Sequence, residues 1–122
     1  MKNLVTFFEI PAENFERAVK FYESVFNIQL SVDCDETEKM AFFSDANGNC
    51  EGAISYAKDF RPSKDGVLIS LRVENMEKAI SSIEKNGGKI VQPKTKIEAE
   101  NMGYFATFID SEGNKVGLYS DK

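Results

Sequence analysis

Glu13-Asn14-Phe15-Glu16-Arg17-Ala18-Val19 is echoed later in the chain by Glu74-Asn75-Met76-Glu77-Lys78-Ala79-Ile80, with four of the seven positions identical and the rest exchanged like for like. A second pair of stretches follows in the same order. Asp45-Ala46-Asn47-Gly48-Asn49 matches Asp110-Ser111-Glu112-Gly113-Asn114, and the match continues from Gly52 to Gly117. Two matches in one order at nearly one spacing mark a tandem duplication. The second copy is slightly longer, which places an extra loop between Gln92 and Met102. The chain therefore reads as a single domain of two repeats, residues 1–58 and 67–122, joined by the polar linker 59–66 with its Pro62 and Gly66.

Working outward from the repeat, each copy begins with a strand. Val67, Ile69, Leu71 and Val73 alternate with Leu68, Ser70 and Arg72, and the matching positions of the first copy set Thr6, Phe8 and Ile10 against Val5, Phe7 and Glu9. Period-two alternation is the strand signature, with the apolar set facing a helix and the mixed set facing a groove. A helix follows. Asn14 and Asn75 are suited to cap its free amides, and Phe15, Ala18, Val19, Tyr22 and Phe26, or Met76, Ala79, Ile80 and Ile83, recur at helical spacing. Asn27 and Asn86-Gly87-Gly88 are the stop signals. Three further strands complete each copy: roughly 29–34, 39–44 and 50–56, then 89–94, 103–109 and 115–120. The expected fold class is α+β, two tandem βαβββ modules forming a curved, barrel-like mixed sheet with helices on its outer face.

Composition narrows the functions. The 122 residues carry a net charge of −5, which attracts neither nucleic acid nor an anionic membrane surface. No stretch is long and apolar enough for a transmembrane helix, and the start at Met1-Lys2-Asn3-Leu4 does not read as a signal segment before Glu9. Cys34 and Cys50 form no CxxC pair, so a reducing cytoplasm is the expected compartment. There is no histidine. The commonest metal ligand and the commonest general base near neutral pH are both missing.

Phe8-Glu9-Ile10-Pro11-Ala12 leading into Asn14, Glu16-Arg17-Ala18 and Phe21-Tyr22 resemble the vicinal oxygen chelate superfamily. So do Gly87-Gly88-Lys89-Ile90-Val91 and the run from Asp110 to Leu118. That superfamily includes glyoxalase I, bleomycin-resistance proteins, extradiol dioxygenases and fosfomycin-modifying enzymes. The resemblance covers nearly the whole chain. It implies a metal in the hollow of the sheet, held by two side chains from the first strands and two from the last strands of the copies. Those positions read Phe7, Leu68, Gly52 and Gly117 here. None offers a side-chain lone pair, whereas such sites need imidazole, carboxylate or amide oxygen. The expectation is a chain without this metal site and without a cofactor, a relocated site built on Glu9 and Glu51 being the alternative.

The candidate ligand-binding residues are Phe7, Glu9, Leu68, Ser70, Arg72, Gly52, Gly117 and Tyr119. Glu9 doubles as a candidate general base, because apolar company raises a carboxyl pKa, and Arg72 could clamp an anion through its two-pronged guanidinium or pair with Glu9. Phe42, Phe43, Tyr56, Tyr104 and Phe105 join Phe7 and Tyr119 as an aromatic set divided between pocket and core. The stretch 98–101 reads as a flap over the cavity mouth. The function expected is binding of a small organic ligand in the sheet cavity. The alternative is a glyoxalase-like enzyme of the lactoylglutathione lyase type, or a dioxygenase type, with a relocated metal or a metal-independent Glu9 base. Sheets with open edges, and the habit of the family, lead us to expect a homodimer.

Overall fold

The structure, a computed structural model, describes residues 4–122. Met1, Lys2 and Asn3, part of the start that does not read as a signal segment, lie outside the described residues. The first module runs β1 (Phe8–Pro11), α1 (Phe15–Phe26), β2 (Ser31–Cys34), β3 (Lys39–Ser44) and β4 (Cys50–Tyr56). The second runs β5 (Ser70–Arg72), α2 (Met76–Lys85), β6 (Lys89–Lys96), β7 (Tyr104–Ile109) and β8 (Lys115–Ser120). No helix among the described residues is long and apolar enough to cross a membrane.

The helix signals act as their chemistry dictates. Asn14 Oδ1 accepts the Arg17 amide at 3.1 Å, and Asn75 Oδ1 accepts that of Lys78 at 3.0 Å, each satisfying a first-turn donor that no helical carbonyl reaches. At the far ends the chain turns through left-handed backbone, at Asn27 (φ 53°) after α1 and at Gly87 (φ 94°) after α2. Phe15, Ala18, Phe21, Tyr22 and Val25 of α1 are buried, as are Met76, Ala79 and Ile83 of α2.

Each module contributes its own four-stranded mixed sheet, ordered β1-β4-β3-β2 and β5-β8-β7-β6. In both, the first strand lies parallel to the last and the remaining neighbours are antiparallel. The eight strands thus form two curved mixed sheets, one from each module, not closed into a barrel, in the α+β arrangement expected from the repeat. The described strand β5 is also shorter than the alternation over 67–73 suggests. Val67 is 92% exposed, so the apolar pattern there continues beyond the hydrogen-bonded ladder.

One apolar cluster holds both modules. Ile10, Ala41 and Ile54 of the first sheet, Ala106, Phe108, Val116 and Leu118 of the second, and the buried stripes of both helices all belong to it. Helix α1 bridges the sheets: the Tyr22 ring meets Phe43 edge-on at 5.8 Å, while Phe21 packs 6.1 Å from Phe108. The β7–β8 turn then grips α1 with polar groups. Buried Asp110 takes the Tyr22 hydroxyl at 2.6 Å. Glu112, its side chain only 1% exposed, accepts the amides of Glu13 and Asn14 and a two-pronged contact from Arg17. Asn114 Nδ2 donates to the Pro11 carbonyl. Three residues of one turn therefore hold the start and middle of a helix in the other module.

Burial raises the Tyr22 phenol well above its ordinary pKa, and the charge and hydrogen bond of Asp110 add to this, so it remains a protonated donor. Burial also works to raise the Glu112 carboxyl, but the Arg17 hydrogen bond, the Asn14 amide and the Ser111 hydroxyl outweigh it and hold the group below the ordinary glutamate value of 4.5. A carboxyl with a depressed folded pKa stabilises the fold above its unfolded pKa, and that contribution fades as pH falls through the folded value. Urea unfolding at pH 7 is expected to show Glu112→Ala less stable by about 3 kcal/mol. The gap between wild type and Glu112→Gln is expected to narrow as pH drops from neutrality through the carboxylate range.

Candidate functional site

Strand register decides which side chains share the helix-free face of each sheet. Parallel pairing sets Phe8 beside Gly52, Glu9 beside Ala53 and Ile10 beside Ile54. Ile10 and Ile54 belong to the core, and Phe8 packs against it with its ring 5.6 Å from Phe43. The alternate positions, Glu9, Ala53 and Ser55, therefore lie on the opposite face, since successive strand side chains point to opposite sides. Ser55 Oγ donates to Glu9 Oε1 at 2.8 Å there, and Phe7 lies 6.3 Å from Phe42. Phe7 is 37% exposed, and Glu9 is exposed as well.

The second sheet repeats the pattern. Ser70 pairs with Gly117 and Arg72 with Tyr119, while Leu71 and Leu118 turn to the core. Opposite Gly117 and Tyr119 on the next strand stand Thr107 and Phe105. The Arg72 guanidinium lies 4.9 Å from the Tyr119 ring centroid and bridges to Asp121 at 3.0 Å, an exposed pair. The Tyr119 hydroxyl accepts the Gly103 amide at 3.0 Å. Leu68, 49% exposed, precedes the ladder.

Six of the eight residues named from the sequence thus lie in or beside the sheets with the parity expected: Phe7 and Glu9 on one face, Ser70, Arg72, Gly117 and Tyr119 on the other sheet's face. Leu68 lies just ahead of that face. Glu9 and Arg72 do not pair with each other; Ser55 engages the one and Asp121 the other. Gly52 requires correction. A Cβ on Gly52 would lie 2.5 Å from the Phe8 ring, so this glycine belongs to the core side. The cause is an irregularity in the β3–β4 ladder between Phe43 and Ser44, which shifts the strand after the turn. Ala53, paired with Glu9 as Gly117 is paired with Ser70, is the true counterpart of Gly117.

The aromatic set divides as well. Phe43 and Tyr104 pack against the core, Phe42 and Phe105 take open-face positions, and Tyr56 stands at the strand end with Lys39 5.8 Å from its ring. Residues that the sequence reading passed over are Ala53, Ser55 and Thr107. Ser55 was within reach of strand alternation from Tyr56, but its bond to Glu9 joins positions far apart in the chain.

A metal fits this arrangement poorly. Phe7, Ala53, Leu68 and Gly117 hold no side-chain oxygen, nitrogen or sulfur, and hard or borderline divalent ions need such donors. Among the described residues, no three Cys, Asp or Glu side chains come together as an ion-binding group.

A wide groove of about 1750 Å³ runs between the modules, lined by residues 4–6 and Phe8 from the first and residues 67–75 from the second. The β3–β4 turn residues Asp45 and Asn49 and the α2 cap Asn75 also line it. The turn that corresponds to the β7–β8 clasp is therefore exposed, and its matching helix start stands across open space.

A family model described as Glyoxalase/Bleomycin resistance protein/Dioxygenase superfamily matches residues 4–118. A glyoxylase-like domain-containing protein of Didymella fabae is 31% identical over 112 residues, covering 87% of this chain and 84% of that protein. The glyoxylase/bleomycin resistance protein/dioxygenase domain from Frankia sp. EAN1pec superposes with a TM-score of 0.74 at 12% identity, over 100% of both chains. A V278E mutant of glyoxalase I from Zea mays superposes with a TM-score of 0.73 at 19% identity over 93% of this chain. The match spans 44% of the maize protein, so this chain is less than half its length.

The face assignment has a direct test in two glycines. Gly52→Ala drives a methyl into the Phe8 ring and is expected to cost about 1–3 kcal/mol in urea unfolding. Gly117→Ala meets the Ser70 hydroxyl, which can rotate away, so its cost is expected to be clearly smaller. Equal costs would place Gly52 on the open face after all.

Proposed function

The chain belongs to the Glyoxalase/Bleomycin resistance protein/Dioxygenase superfamily, and from that premise we propose that it is a binding member of the family. It holds a small organic molecule against its open sheet faces, without a metal ion. The observation that carries the reading is the side-chain chemistry of those faces. Phe7, Ala53, Leu68 and Gly117 offer hydrocarbon or bare backbone where a bound ion needs donors. Phe42, Phe105 and Tyr119 supply flat apolar surface beside a few polar anchors, Glu9, Ser70 and Arg72, which is the usual make-up of an organic ligand site. Glu9, fixed by Ser55, is the principal anchor.

A second copy of the chain closes the site in this reading. Among the described residues, the outer edges of β1 and β5 have no ladder partner, and Leu4, Val5, Val67 and Leu68 beside them are exposed. Unpaired edges flanked by apolar side chains favour association. A twofold arrangement pairing the first module of one copy with the second of the other covers both edges and sets the two open faces around one hollow. Both cysteines are free and exposed, which suits a reducing compartment.

Calorimetric titration with nickel, zinc, manganese and ferrous ions is expected to show no stoichiometric uptake; tight binding at one ion per chain would overturn the reading. Native mass spectrometry of gently purified protein is expected to find a dimer carrying a small organic molecule. Glu9→Gln is expected to weaken that retention about tenfold. Retention unchanged in Glu9→Gln, with turnover of the retained molecule lost, would instead assign Glu9 as a base.

A further inference from the structure

A second concavity adjoins the broad groove, sharing Val67 and Ile69 with it. It is a cleft of about 250 Å³ where the linker between the modules crosses the end of β1 and the start of β8. Ile10, Pro11, Phe60, Val67, Ile69 and Val116 supply its apolar walls. Its charged groups are Arg61, Lys115 and Glu9.

The linker is held in place as a strap. The Ser63 amide donates to Asn114 Oδ1 at 3.1 Å, the Lys115 amide donates to the Ser63 carbonyl at 3.3 Å, and the Gly117 amide donates to the Ile69 carbonyl at 2.8 Å. Asn114 in turn donates to the Pro11 carbonyl, so strap, β8 and β1 are joined through one side chain. The cleft is thus built from hydrogen-bonded backbone on three sides and exists before any ligand enters.

Its charges are unevenly matched. Among the described residues, neither the Arg61 guanidinium nor the Lys115 ammonium enters a salt bridge. The carboxylate of Glu9 already accepts the Ser55 hydroxyl. Two cations face one engaged carboxylate, in a protein whose net charge is −5. A local positive excess on an acidic chain, set over an apolar floor, complements an anion with an apolar body.

We propose that this cleft binds a small carboxylate carrying an apolar or aromatic group. The carboxylate lies between Arg61 and Lys115, with the guanidinium positioned for a two-pronged contact, and the apolar group packs on the exposed side chains of Phe60 and Val67. The size of the cleft, just under the usual range for small-molecule sites of roughly 300–1,000 Å³, restricts the ligand to one ring or a short chain. The cleft shares Glu9 with the open-face site, but Arg61, Lys115 and the strap belong to the cleft alone, so the proposal goes beyond the open-face reading.

The test is titration of isotope-labelled protein with phenylacetate, followed by amide chemical shifts. Phenylacetamide serves as the uncharged control, and Arg61→Gln and Lys115→Gln as variants. Both side chains are exposed, so the variants are expected to keep the wild-type spectrum. The expected result is saturable shifts confined to Ile10, residues 60–63 and residues 114–116, with affinity on the order of millimolar. Arg61→Gln is expected to weaken binding about tenfold and Lys115→Gln severalfold, with phenylacetamide weaker than phenylacetate by a similar margin. The proposal falls if the amide binds as well as the acid, if neither variant changes affinity, or if the shifts map to the broad groove. It also falls if no saturable shift appears up to roughly 20 mM. Metal titration and retention of a ligand on the open faces are read separately, so either proposal can fail while the other stands.

Discussion

The structure depends on a clasp between a turn and a helix that belong to different modules. Asp110, Glu112 and Asn114 occupy one hairpin turn, and between them they engage Tyr22, the amides of Glu13 and Asn14 just ahead of α1, Arg17 and the backbone of Pro11. Charged groups cost heavily to bury unless their hydrogen bonds are met. Here the Glu112 carboxylate has donors on both oxygens, and Asp110 accepts from Tyr22, Asn114 and the amides of its own turn. The apolar cluster supplies the bulk of the cohesion, but it is non-directional. The clasp supplies the register that sets Phe21 against the second sheet and Tyr22 against the first.

That clasp is one-sided. The repeat supplies a similar turn in the first module, where Asp45 accepts the amides of Asn47 and Asn49 much as Asp110 does those of Glu112 and Asn114. Yet Asn47 stands where the second copy has Glu112, and Ile83 stands where the first helix has Tyr22. Without the carboxylate and the phenol, this turn has nothing with which to hold α2, and it stays exposed beside the broad groove. Divergence at two positions thus converts a symmetric pair of contacts into one closed joint and one open side. The open side carries the edges of β1 and β5, which are unpaired among the described residues.

Much of this was legible in the chain itself. Capping asparagines, helical apolar stripes and the strands over 39–44, 50–56 and 115–120 follow from local rules that tertiary contacts reinforce here. The face of Gly52 was not legible, because counting residues from the turn glycine assumes an unbroken ladder, and the irregularity at Phe43 and Ser44 breaks it. The division into one sheet per module was legible too, because the duplication gives each copy its own set of four strands. The Glu9 to Ser55 and Arg17 to Glu112 contacts join residues distant in sequence, and no local pattern announces them. Arg61 and Lys115 read as ordinary surface charges until the strap folds over β8.

The functional account rests on the chemistry of a few inward positions rather than on the fold, which hosts many activities. Correcting Gly52 to Ala53 leaves that chemistry unchanged, since a methyl group donates no more than a hydrogen does. The most direct measurement is an anomalous-difference map from crystals grown with excess zinc or nickel, collected across the metal's absorption edge. The account predicts no peak on the sheet faces around Phe7, Ala53, Leu68 and Gly117. An ordered ion there, bound through oxygen atoms of the protein, would contradict it.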